Sequence, residues 1–233
     1  PYMPPEQDKL PEEKLALVKK WIEGGSLENS GSKVAAKKSM APALAAAGGA
    51  GKPEGPVAMP EGVLRQPVVY TPRAAAVTAI ASSPWAPLVA VAGQKQICLY
   101  NSDSGQLLGV LPFPEGIAQV LKFSRNGSLL MAGGGRGAST GFVALYDVKS
   151  GRRLTKVGDE LDVVLAADIN YNHTLVALAG PQRVVRIYSA QTGELLHEIR
   201  KHTDWVQAVE FSPDGILLAT GDRSGGLLVW EAD

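Results

Sequence analysis

The chain has 233 residues, 45% of them hydrophobic and 20% charged, enough for one sizeable core or two small domains. Lysine plus arginine and aspartate plus glutamate number 23 each, so no global field draws the chain toward nucleic acid, anionic lipid or acidic substrates, and function must reside in a local site. A single cysteine, Cys98, excludes an intrachain disulfide; the alternation around it in "KQICLYN" predicts a buried structural thiol rather than a nucleophile. The richest apolar stretch, "AAAVTAIASSPWAPLVAVAG", is broken by serines and prolines, so no membrane span is read.

In chain order, the first predicted element is an amphipathic helix over residues 11–23. Leu15, Val18 and Ile22 recur on one face, Leu17 and Trp21 widen the stripe, and Glu12, Glu13, Lys19 and Lys20 fall mostly outside it. Pro11 suits the first helical position, the two glutamates favour the positive end of the dipole, and Gly24-Gly25 is a stop signal. Such a helix is marginal in water without a packing partner. Residues 26–56 then shift to Ala, Gly, Ser, Lys and Pro, with too few large apolar side chains to repay ordering, and read as a flexible linker.

From residue 57 onward the sequence repeats. "VTAIASSPWAPLVAVAG", "VLKFSRNGSLLMAGG", "VLAADINYNHTLVALAG" and "VQAVEFSPDGILLATGD" align with Ile80, Phe123, Ile169 and Phe211 in register. Each continues into a strand ending in an aromatic, at Tyr100, Tyr146, Tyr188 and Trp230. Three then carry Ser-Gly or Thr-Gly turn signals into a further short strand. Four short strands per repeat of roughly 40–45 residues is the period of a propeller blade. The fold class expected is mainly β, a partial propeller of about four blades preceded by one helix and a linker.

The last unit, "HTDWVQAVEFSPDGILLATGDRSGGLLVWEAD", resembles a WD-repeat blade, with weaker matches in the three before it. The resemblance implies a buried hydrogen-bonded tetrad of His, Ser or Thr, Asp and Trp. His202, Thr220 and Trp230 fit, while the place expected for the aspartate falls nearer Ser224. It also implies that the propeller docks a protein partner, and that the chain continues in nature, since a ring ordinarily closes with more blades.

The opening stretch "YMPPEQDKLPEEKLALVKKWIEGGS" resembles the C-terminal end of the small c-type cytochrome domain of planctomycetes and related bacteria, in which a "MPP" segment precedes a last helix ending "WI-x-x-G". Met3 corresponds to the distal axial ligand of haem c, a soft thioether in a turn stiffened by Pro4-Pro5. Trp21 and Ile22 correspond to packing positions. Residues 1–25 would then be the end of a cytochrome c domain, 26–56 the linker and 57–233 the WD-repeat blades. The implied function is haem-mediated electron transfer in the periplasm with the propeller as docking platform for a redox partner; the alternative is a non-catalytic interaction scaffold without haem. The attachment motif C-x-x-C-H is absent from this chain and would have to lie upstream.

No catalytic constellation is visible, and none of the chain's residues is nominated for enzymatic chemistry. "GGGRGASTG" at 133–141 lacks the Gly-Lys-Ser/Thr ending of a phosphate loop and reads as a long hairpin loop. His173, His197 and His202 have no partners at metal-ligand spacing. Arg152, Arg153, Arg200 and Lys201 read as solvated hairpin and edge charges rather than a nucleic-acid stripe.

Overall fold

The computed structural model describes residues 51–70 and 76–232, all within the compact unit Ser39–Asp233. Met3, the predicted helix over 11–23 and most of the predicted linker lie outside the described residues. Every regular element among the described residues is a β-strand. The strands are β1 (Ile80–Ser82), β2 (Leu88–Asn101), β3 (Leu107–Phe123), β4 (Leu129–Arg136), β5 (Thr140–Asp147), β6 (Arg153–Glu160), β7 (Ala166–Ile169), β8 (Leu175–Ala179), β9 (Val185–Ser189), β10 (Leu195–Ile199), β11 (Val206–Phe211), β12 (Leu217–Asp222) and β13 (Leu227–Glu231).

All neighbouring strands pair antiparallel, in sheets ordered β1-β2-β3-β4-β5-β6, β10-β9-β8-β7 and β11-β12-β13. The six-stranded sheet is two blades joined by one strand. The first part of β3 pairs with β2, Leu111 opposite Ile97, and its second part pairs with β4, Phe123 opposite Leu130. β2 likewise serves two positions, turning at Lys95, whose φ is +57°. Each blade therefore has the propeller order of inner to outer strands, with the next blade entered by a crossover.

Local chemistry sets the turns. The first hairpin of each blade closes through the same bond, from Ser83 N to Leu88 O, Ser124 N to Leu129 O, Asn170 N to Leu175 O and Ser212 N to Leu217 O. This corrects the sequence register: the first-blade counterpart of Phe123 is Ser82, two residues past Ile80, which is 67% exposed. The Ser-Gly and Thr-Gly turns close from Gly105, Gly151 and Gly193 N to Asn101, Asp147 and Ser189 O, each glycine at φ near +70°, a region that costs a side-chain-bearing residue about 1–2 kcal/mol.

The blades stack face to face through three cores. Leu130, Ala132, Ala144 and Tyr146 pack toward the first blade with Leu99, Leu111 and Phe113. The intervening Met131, Val143 and Leu145 pack toward the third with Val176 and Leu178. β4 and β5 are thus covered on both faces, which is why they read as continuous apolar runs instead of alternating ones. Small Ala166, Ala177 and Ala179 then receive Val206, Phe211 and Leu218 of the last blade.

Two further differences from the sequence reading concern glycines and the segment before the first blade. The "GGGRGASTG" run is not a long loop: Gly133–Gly135 lie in β4 and Thr140–Gly141 in β5. A Cβ on Gly134 would sit 2.1 Å from Ile117 O, and one on Gly141 1.9 Å from Asp162 O, so glycine is required for close strand approach. Residues 57–69 form a strap along the blades. Leu64 O accepts from Val110 N at 2.8 Å, Glu61 N donates to Lys149 O at 2.7 Å, and the Gln96 side chain binds Val68 N and Val69 O. Val63 fits against Gly109, where an added Cβ would meet Val63 Cγ1 at 2.6 Å.

Candidate functional site

The last blade holds a hydrogen-bonded chain from its outer to its inner structure. Trp230 Nε1–H on β13 donates to Thr220 Oγ1 on β12 at 2.9 Å, Thr220 Oγ1 meets His202 Nε2 at 2.8 Å, and His202 Nδ1 meets Asp222 Oδ2 at 2.9 Å. The carboxylate fixes Nδ1–H as a donor, which leaves Nε2 to accept the threonine proton. The His202–Asp222 side chains are 0% and 3% exposed. Hydrogen bonds from His202, then Ser224 and the Gly226 amide, hold the Asp222 carboxyl well below the usual range, so it stays ionised.

This structure brings His202, Thr220 and Trp230 together and corrects the position of the acid. It is Asp222 that binds His202; Ser224 instead donates its hydroxyl to Asp222 Oδ1 at 2.8 Å. The carboxylate stands two residues earlier than the expected place, and the hairpin closes around it with Gly225 at φ +94° and Gly226 N donating to Asp222 Oδ1 at 2.8 Å.

The other third-strand aromatics solve the same problem differently. Tyr146 Oη–H donates to Pro112 O at 2.8 Å, and Tyr188 Oη–H to Glu160 Oε1 at 2.9 Å, each reaching the outer strand of the preceding blade. Burial pushes the Tyr146 hydroxyl up to about 12. Burial, followed by the Glu160 carboxylate, raises that of Tyr188 as well. Glu160 is also ion-paired with Arg186.

The inner strands line a cavity of about 530 Å³ that opens between Ile80, Val120, Ala166 and Val209. On its lining, Lys122 of β3 pairs with Glu210 of β11 at 2.5 Å and also reaches buried Asp168 of β7 at 2.9 Å. Asp168 also accepts from Phe211 N at 2.7 Å, so a 2%-exposed carboxylate ties three blades. Burial raises its pKa, opposed by Lys122 and by the Phe211 amide. This lysine is fully engaged in structure, and the channel presents Gln119, Gln207 and Glu210 beside it.

The remaining sequence candidates fall as follows. Cys98 is half-buried in β2, and burial pushes its thiol up, away from nucleophilic reactivity. His173 is 1% exposed with neither ring nitrogen hydrogen-bonded, and burial depresses its pKa. His197 is exposed on β10. Arg153 is not a solvated charge: it pairs with Glu115 at 2.7 Å and lies 5.1 Å over the Phe142 ring. Arg200 pairs with Glu198, while Arg152 and Lys201 are exposed. Sequence reasoning missed Trp205 and Arg223. Trp205 is 42% exposed on the β10–β11 crossover, and Arg223 of the β12–β13 hairpin stacks over it at 4.8 Å while its Nε–H binds Asp204 at 3.1 Å.

Comparison with known proteins agrees with this geometry. Residues 193–231 match the family described as WD domain, G-beta repeat, which covers β10 through β13 and contains all four members of the His202 network. The chain is 32% identical over 90 residues to apoptotic protease-activating factor 1 of Rattus norvegicus, covering 39% of this chain and 7% of that protein. It is 35% identical over 83 residues to eukaryotic translation initiation factor 3 subunit I of Phaeosphaeria nodorum, covering 35% and 25%. It is 41% identical over 61 residues to angio-associated migratory cell protein of Homo sapiens, covering 26% and 14%. The matched segments therefore span a quarter or less of these relatives. Residues 193–231 therefore resemble a WD40 repeat, and the antiparallel sheets are consistent with the blades of a partial propeller. Among the described residues, no helix is long and apolar enough to cross a membrane.

Proposed function

We propose that this chain is a non-catalytic WD-repeat scaffold that binds a protein partner. The observation that carries the reading is the Trp205–Arg223 pair. Large aromatic and arginine side chains dominate protein interfaces, and here both are exposed yet held in one geometry by Asp204 and by the tetrad hairpin. A pre-positioned contact loses less entropy on binding than a mobile one. One similar protein is, by its name, a subunit of a translation initiation factor. The reading is tested by placing a photo-crosslinking amino acid at Trp205 in the native host. A defined protein adduct that disappears with Arg223→Glu, and that does not form from the same label at exposed Trp85, is the expected result. Equal adducts from both positions would overturn it.

The electron-transfer reading rests on the resemblance of the opening stretch, with Met3 as the axial ligand of haem c and the periplasm as compartment. The described residues do not fit a covalent haem site: Cys98 is the sole thiol and lies within β2, and His202 is bound on both nitrogens. Any attachment would come from outside this chain. A reduced-minus-oxidised visible spectrum of the protein purified from its native locus tests it, with a c-type signal altered by Met3→Ala as the supporting result and a featureless spectrum as the refuting one.

A further inference from the structure

The hairpins joining the second and third strands share one end of the blades with the crossovers between blades. A cavity of about 300 Å³ is lined by the first two such hairpins, at Lys95 and Arg136, and by the crossovers at Ile117 and Val163. In the later blades Arg183 Nη1 reaches the crossover at Thr203 O, and Arg223 N reaches Trp205 O. Each of the four hairpins thus carries one cation at this end: Lys95, Arg136, Arg183 and Arg223.

Several acids at this end already have partners, while Asp159 is exposed. Asp162 Oδ1 accepts from Ala138 N and Val163 N at 2.8 Å, Glu115 pairs with Arg153, Asp204 with Arg223, and Asp222 with His202. Among the described residues Lys95, Arg136, Arg183 and Lys201 enter no ion pair. Two of these cations also sit where a side chain is disfavoured, Lys95 at φ +57° and Arg183 at φ +63°. Glycine or asparagine would be easier at both.

We infer that this end of the blades binds an acidic, leucine-type apolar segment of a protein partner. Its carboxylates lie along the unpaired hairpin cations Lys95, Arg136 and Arg183, and an apolar side chain enters the Lys95–Arg136 cavity against Ile117, which is 39% exposed, and Val163. This rests on the scaffold reading and names the chemistry of the partner. The polypeptide is favoured over a nucleic acid because the cavity between the cations has an apolar wall formed by Ile117 and Val163.

The test is fluorescence anisotropy of the whole chain with a labelled peptide alternating glutamate and leucine, with the glutamine–leucine peptide and oligothymidylate as comparisons. The glutamate peptide should bind in a salt-sensitive manner, and the Lys95→Gln/Arg136→Gln double variant should weaken it roughly tenfold. Arg152→Gln, on a hairpin at the other end, should change nothing. Near-UV circular dichroism checks that each variant is folded. Equal binding of the glutamine peptide, no loss in the double variant, no binding at all, or tighter binding of oligothymidylate that the double variant abolishes would each overturn the inference. A Trp205 crosslink that persists alongside failure here rejects only the acidic partner; loss of both rejects the scaffold.

Discussion

Thr220→Val is the sharpest perturbation of the last blade, because it keeps the side chain's shape and removes one oxygen. That oxygen accepts from Trp230 Nε1–H at 2.9 Å and binds His202 Nε2 at 2.8 Å, in a residue 1% exposed. Valine strands both partners, and leaving a buried polar group unpaired costs about 1–3 kcal/mol. The tryptophan is partly exposed and recovers some of this from water, so the expected loss is about 2–4 kcal/mol. Thr220→Ser separates the causes, since it keeps the oxygen and loses only a methyl group worth roughly 1 kcal/mol. The assay is native-state amide exchange across β11–β13, read together with the indole N–H of Trp230, which reports local opening of this blade even if the others stay closed. A valine variant within about 0.5 kcal/mol of the parent, or one no worse than serine, would refute the argument that the network holds the blade.

His173 should make stability pH-dependent. Its folded-state pKa lies below the ordinary value of 6.5, so the unfolded chain takes up the proton first; stability is complete above that value and falls as pH drops through it. His173→Asn, which tolerates the φ of +59°, should flatten the urea midpoint between about pH 7.5 and about pH 5.5. Gly109→Ala should displace the strap by pushing on Val63, cost about 1–3 kcal/mol and expose Arg65 to trypsin; adding Val63→Ala should restore protection. Tyr146→Phe should lose about 1 kcal/mol with its bond to Pro112 O, and ultraviolet titration of the parent should show one tyrosine ionising only near about 12, absent in the variant.

The blade period was legible because it rests on local rules. Ser-Gly and Thr-Gly mark turns that need a positive φ, and the aromatics Tyr146 and Tyr188 end third strands that are buried against a neighbour, while Trp230 ends β13, whose other face is exposed. The first blade was misread by two residues because "AIASSPWAP" places a serine, Ser82, where the later blades have Phe123, Ile169 and Phe211, and the nearest large apolar residue drew the alignment. The glycine run at Gly133–Gly135 suggested a loop since composition cannot tell a flexible turn from strands crossing at van der Waals contact. Asp222 was missed for a similar reason: position along the motif suggested Ser224, while the reach of a carboxylate to His202 depends on how the hairpin folds. The Trp205–Arg223 pair joins residues 18 positions apart, and only the meeting of crossover and hairpin reveals it.

The continuity of β3 has a consequence for how the molecule comes apart. Its residues Leu107 to Phe123 are the outer strand of one blade and the inner strand of the next, so a single ladder runs from β1 to β6. Opening either of these blades disrupts hydrogen bonds shared with the other, and the two should behave as one cooperative unit. The sheets β7–β10 and β11–β13 join their neighbours through side chains and isolated bonds, and can detach in smaller steps. Under mechanical load or denaturant, the first two blades would persist as a pair after the last blade has frayed, placing the hairpin cations Lys95 and Arg136 on the durable part and Arg223 on the labile one.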